Sequence, residues 1–125
     1  MPWLKSYALS HRALWDGDRE TSLDAFNSFL ALPNPFLIDP EGRFWIGRDL
    51  ANLGEWQRAL TFLSVSLDGN YCCYYVLTHD TTLESLRPHP GFAELVERAR
   101  KLDLKARRVF IDNGGDELLG IDLTS

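Results

Sequence analysis

Apolar residues recur at helical spacing in stretches of about a dozen, and a turn-forming cluster stops each stretch: Asp16-Gly17-Asp18, Pro33-Asn34-Pro35, Gly54 and Asp68-Gly69-Asn70. A chain punctuated this way forms short helices joined by tight turns, the pattern of antiparallel helical hairpins. Trp3, Leu4, Tyr7, Ala8, Leu14 and Trp15 predict one apolar face on a helix over 3–15. Leu23, Phe26, Phe29, Leu30 and Leu32 do the same over 19–32. Pro33 stops that helix, because it has no N–H to continue the ladder. Asp39-Pro40-Glu41 reads as a helix start, with a capping side chain, a proline in the first turn and an acid at the positive end. This third helix runs to about Leu53 with Phe44, Trp45, Ile46, Leu50 and Leu53 apolar, and Gly54 ends it. A fourth, from about Glu55 to Leu67, turns Trp56, Ala59, Leu60, Leu63 and Leu67 inward.

The second half is less regular. Phe36-Leu37-Ile38 is a short apolar connector. Tyr71 to Leu77 suits a strand by propensity, but no partner strand is nearby, so a short helix is expected. Thr81 to Leu86 adds one more helical turn, the two forming an irregular closing hairpin over 71–87. After Arg87-Pro88-His89-Pro90 a long helix spans about 90–112, with a stripe of Phe92, Leu95, Val96, Ala99, Leu102, Ala106, Val109 and Phe110. Asn113-Gly114-Gly115 breaks it, leaving a tail over 113–125. Pairing of 109–111 with 118–121 as a β-hairpin is the alternative. The whole chain reads as one all-α domain, 1–125.

The hairpins at about 3–32 and 40–69 align with each other. Gly17 and Gly54 fall at the inter-helix turns, Tyr7 matches Phe44, Leu9 matches Ile46, Ser10 matches Gly47 and Phe26 matches Leu63. In Gly47-Arg48-Asp49-Leu50-Ala51-Asn52-Leu53-Gly54-Glu55-Trp56-Gln57-Arg58-Ala59-Leu60, Gly47 permits close helix approach, Gly54 the turn, and Ala59 the crossing, while Trp56 packs across the turn. This segment resembles the middle of a tetratricopeptide (TPR) repeat. Asp80-Thr81-Thr82-Leu83-Glu84-Ser85-Leu86-Arg87-Pro88-His89-Pro90-Gly91-Phe92 is similar to the closing segments of TPR proteins that often follow bacterial signalling modules. Arg43, Ser66 and Tyr71 depart from that family's pattern. The resemblance implies antiparallel hairpins stacked as a short right-handed superhelix, closed by the long C-terminal helix.

Chemistry is sparsely encoded. Cys72 and Cys73 are adjacent, so they can neither staple distant segments nor supply a spaced zinc set, and they read as buried thiols of a reducing cytoplasm. His79-Asp80 places an imidazole beside a carboxylate, but adjacent residues orient one another poorly, and Asp80 reads as a helix cap. His11 and His89 are isolated. Asp16-Gly17-Asp18 lacks the remaining ligands of a calcium loop, and Asn113-Gly114-Gly115-Asp116 lacks the lysine of a phosphate loop. No catalytic residue, metal or cofactor is therefore expected.

The formal charge of -5 argues against general binding to nucleic-acid phosphates. The basic run Arg98, Arg100, Lys101, Lys105, Arg107 and Arg108 is interleaved with acids and reads as a solvated face. No apolar run approaches the ~20 residues of a membrane span, and the N-terminus lacks a basic-then-apolar leader, so a cytoplasmic, membrane-free protein is expected. The resemblance implies binding of another protein or peptide in a concave groove lined by the first helix of each hairpin. Helix phase puts Tyr7, His11 and Trp15 there from the first unit, and Glu41, Phe44, Arg48, Ala51 and Asn52 from the second. Arg48 and Asn52 would meet a peptide carboxylate, Phe44 and Trp15 an apolar anchor. Self-association and a small acidic inhibitor of one partner enzyme are the alternatives.

Overall fold

The computed structural model describes residues 1–71 and 73–123. Its elements are α1 (Pro2–Trp15), α2 (Arg19–Ala31), a 3-10 turn (Pro35–Leu37), α3 (Pro40–Asn52), α4 (Trp56–Asp68), α5 (Tyr74–His79), a second 3-10 segment (Thr81–Leu86), α6 (Phe92–Asp112) and α7 (Gly115–Leu119). There is no strand among the described residues, so the region around 71–77 is helical from Tyr74 onward and the alternative hairpin over 109–121 does not form. The expected tail instead winds one short helix, α7, between the left-handed residues Gly114 and Gly120. Cys72, read with Cys73 as a buried pair, lies outside the described residues, as do Thr124 and Ser125; Cys73 is buried. No helix among the described residues is long and apolar enough to cross a membrane.

Three aspartates start three elements. Asp18 accepts from the Thr21 N–H at 3.1 Å, Asp39 from Glu41 at 3.0 Å and Asp80 from Thr82 at 2.9 Å. Each satisfies a backbone donor that the first turn leaves unpaired.

α1 lies along α2, and α3 along α4. Each pair approaches most closely through small residues at aligned positions. Ser10 Oγ donates to the Ser22 carbonyl at 2.8 Å, and Ser22 Oγ donates back to the Ser10 carbonyl at 2.7 Å, both side chains fully buried. In the second pair a Cβ on Gly47 would stand 2.9 Å from Leu63 Cγ and 3.2 Å from the Ala59 carbonyl oxygen, so only glycine fits. Gly54 turns the chain with φ +74°. Beside it, Arg19 at the head of α2 donates to the Leu53 carbonyl and ties the two hairpins together.

The departures from the repeat pattern have local partners. Arg43 Nε donates to the Leu37 carbonyl at 2.9 Å, anchoring the 3-10 turn to α3. Ser66, itself buried, donates from Oγ to the Pro40 carbonyl at 2.7 Å, a partly buried bond between the end of α4 and the start of α3. Tyr71 packs its ring 5.4 Å from that of Phe44. Trp56 stacks flat on His89 at 4.4 Å, so that histidine is a packing partner and not isolated.

Two stripes are corrected. On α1 the buried positions are Ser10 and Ala13, flanked by half-buried Trp3, Tyr7 and Leu14, whereas Leu4 and Trp15 face solvent. The serine pair, invisible to an apolar count, sets that rotation. On α6 the stripe is buried at Phe92, Leu95 and Ala99, then emerges: Val109 is 55% exposed and Phe110 36%. Arg98 donates to Ser64 Oγ at 2.8 Å and pairs with Asp68, the last residue of α4. Beyond that level α4 no longer covers the longer helix.

Candidate functional site

The face shared by α1 and α3 gathers the chain's most organised polar groups. Tyr7 stands on α1 with its ring 4.9 Å from Phe29 and 5.4 Å from Phe36, and its hydroxyl donates to Asp49 Oδ2 at 3.1 Å. Burial, and then the Asp49 charge and hydrogen bond, push the phenol above its usual range, so it stays a donor. His11, one turn on, places Nδ1 3.0 Å from the Tyr7 carbonyl and Nε2 3.4 Å from Asp49 Oδ1. Both ring nitrogens face acceptors, and only the imidazolium donates from both.

The hydrogen bond with Asp49 accordingly raises the His11 pKa, against the opposing effect of partial burial. The folded value lies above the unfolded one, so the contact's stabilisation is complete below the unfolded pKa and fades as pH rises through the folded value. In an NMR titration the His11 ring signal is expected to move at a pH above 6.5 in the parent. Asp49→Asn should bring the midpoint down toward the ordinary range.

Arg48 leaves the same turn in another direction. Its Nε donates to Asp80 Oδ2 at 2.7 Å, its terminal nitrogen donates to Thr82 Oγ1 at 3.1 Å, and its guanidinium lies over the Trp45 ring at 5.4 Å. Asp80 is consequently two things at once, a cap and a counter-ion. Its neighbour His79 turns away, stacking on Tyr75 at 4.1 Å with Nδ1 2.9 Å from the Tyr75 carbonyl. These adjacent residues serve separate contacts and do not form an acid–base pair.

Of the residues assigned to a groove, the structure joins Tyr7 and His11 on Asp49, and commits Arg48 to Asp80. Trp15 projects from the end of α1, 89% exposed, and Glu41 is exposed in the first turn of α3. Asn52 is exposed at the rim of a cleft of about 30 Å³ that it lines with His11, Leu14 and Asp49. That volume admits a water or two and no side chain. Ala51 is buried.

Phe44 requires correction. It is 1% exposed, inside the core, and offers no ring to a ligand. The exposed aromatic of α3 is Trp45, which lines a depression of about 260 Å³ with Pro35, Phe36, Asp39, Glu41 and Gly42. A signal for this was present. Glu41, Trp45, Arg48 and Asn52 recur at i, i+4, i+7 and i+11, one helix face, and Phe44 sits about 100° away from Trp45.

Among the described residues no three His, Cys, Asp or Glu side chains form a group able to hold a metal ion. The arrangement can present rings and fixed charges to a ligand, and its hydrogen bonds are spent holding α1, α3 and the Thr81–Leu86 segment in register. No family model, no curated protein and no solved structure matches the chain.

Proposed function

We propose that the chain is a non-catalytic protein-binding adaptor of TPR-like build, its hairpins stacked as a short right-handed superhelix closed by α6. The single observation that carries the binding reading is the exposure of two tryptophans, Trp15 at 89% and Trp45 at 39%, on the two helices that share the Tyr7–Asp49–His11 contact. Burying such a ring fully is worth about 1.5–3 kcal/mol, forgone almost wholly at Trp15 and in part at Trp45, and tryptophan is among the side chains most enriched at binding hot spots. The equivalent small-residue contacts Ser10–Ser22 and Gly47–Ala59, with left-handed turns at Gly17 and Gly54, support the repeat. The ligand in this reading is a peptide or protein surface with an apolar anchor for the depression beside Trp45. A carboxylate on that ligand competes with Asp80 for Arg48.

The test is capture of binding proteins from a lysate of the chain's source, with the parent and a Trp15→Ala/Trp45→Ala variant immobilised side by side. Both rings lie outside the core, so the variant keeps its helical spectrum. A partner retained by the parent and lost by the variant is the expected outcome. A partner held equally by both sinks the assignment of this face.

A further inference from the structure

The apolar stripe of α6 does not end where its cover ends. Phe92, Leu95 and Ala99 are buried, Leu102 is half-buried, and the same helix face then continues in the open as Ala106, Val109 and Phe110. The spacing is that of one face throughout. α4 stops at Asp68, level with Arg98, α5 packs on α6 from another side, and α7 reaches the end of α6 where Gly115 lies against the Phe110 ring, yet Ala106 and Val109 stay exposed among the described residues. What remains is a trough of about 500 Å³ lined by Leu102, Ala106, Val109 and Phe110, with Asn70 and Lys105 at its edges. Ala106 at its centre keeps the floor low, so a side chain from outside has somewhere to go.

Charge says what covers it. Six of the chain's thirteen Lys and Arg lie within residues 98–108 with one acid, Asp103, while seven basic and seventeen acidic residues occupy the rest. Arg98, Arg100 and Arg107 are engaged with Asp68, Glu97 and Asp103. Lys101, Lys105 and Arg108 recur at i, i+4 and i+7 along one flank of the stripe. Lys101 shares the field of Glu97, one turn before it, and Lys105 and Arg108 make no ion pair among the described residues. A low apolar floor beside a net-basic flank, open at Lys105 and Arg108, matches one occupant.

We propose that the C-terminal half of α6 docks an acidic amphipathic helix of a partner protein. Its apolar side chains enter between Leu102, Ala106 and Val109, and its carboxylates meet Lys101, Lys105 and Arg108. A second copy of this chain fits worse, since a two-fold contact sets the same patch against itself and so cations against cations. A lipid surface fits worse as well: it is flat where the trough is concave, and the acidic remainder of the chain is repelled by anionic headgroups. This surface is separate from the α1–α3 face, and neither reading rests on the other.

The probe is a display library of randomised helical peptides of about four turns, selected against the full chain. Selected peptides are expected to share apolar residues at i, i+3 or i+4 and i+7, flanked by Asp and Glu. The best of them should lose binding to Val109→Asp, weaken about 10-fold or more against Lys105→Glu/Arg108→Glu, and weaken with salt. All three positions are exposed, so unchanged circular dichroism is expected, and Trp45→Ala should bind the peptide as the parent does. The proposal is overturned if selection yields nothing, or peptides without acids, or peptides that Val109→Asp still holds. It is equally overturned if phosphatidylserine–phosphatidylcholine vesicles bind this face in place of peptides, or if Val109→Asp abolishes a concentration-dependent mass of the chain alone.

Discussion

Phe44→Ala is expected to lower the stability of the chain by about 3–5 kcal/mol, with a fall in melting temperature of roughly 10–20 °C. The ring is 1% exposed, with Trp45 at 6.0 Å and Tyr71 at 5.4 Å between ring centres. Removing it exchanges a filled volume for a cavity that its neighbours only partly close. The surrounding positions leave little slack. A Cβ on Gly42 would stand 2.6 Å from the Phe36 Cα, so the 3-10 turn is already pressed against the first turn of α3. Trp45→Ala, one residue away, should cost far less, because that ring is 39% exposed and its removal opens no interior space. Thermal unfolding of the two variants measures the difference directly. Equal losses would mean that α3 is rotated relative to the structure described above.

Asp80→Ala comes next, with an expected loss of about 2–4 kcal/mol. Two contributions combine: the cap on Thr82, worth about 0.5–2 kcal/mol, and a charge-assisted bond to Arg48 worth about 1.5–3 kcal/mol. The carboxylate is well covered, with 14% of its side chain exposed, and the guanidinium is 31% exposed. Removing one partner leaves the other poorly solvated. Arg48→Ala and the double variant complete a cycle, and a coupling of about 1–3 kcal/mol is expected from the direct contact.

The same pair predicts an acid transition. Burial pushes the Asp80 carboxyl up, but the Arg48 hydrogen bond, the Thr82 backbone N–H with its nearby hydroxyl and the guanidinium charge together outweigh burial and hold it below its ordinary value of 3.8. A depressed folded pKa means that stabilisation is complete above the unfolded pKa and is lost as pH falls through the folded one. Denaturation profiles of the parent should therefore fall more steeply below about pH 4 than those of Asp80→Ala. Parallel profiles would remove Asp80 from the acid response.

The helical hairpins were legible in the sequence because their signals are local. Glycines and prolines, the capping aspartates Asp39 and Asp80 and a helical apolar period act within a few residues of themselves, and the structure starts and stops its helices near each, whereas Asp18, read only as part of a turn, proved to be a cap as well. Gly47 and Ala59 were legible as a close approach for the same reason: small residues at matched positions have few other uses.

What could not be read locally is rotation and cover. Phe44 and Trp45 are neighbouring aromatics of similar size, and which one enters the core depends on where α4 and Tyr71 stand. On α1 a pair of serines, each donating to the other helix's carbonyl, outranked Leu4 and Trp15 for the buried face, because a satisfied hydroxyl allows an approach that a large ring prevents. The destinations of Arg48, His11 and Arg98 were likewise undetermined, since each finds its carboxylate on an element distant along the chain. The sequence by itself determined α1 to α4 and α6 with their turns, including the full length of the α6 stripe, but not the short α7. Only the tertiary structure decided that half of that stripe is covered and half is open, because cover depends on how far α4 extends alongside α6 in space.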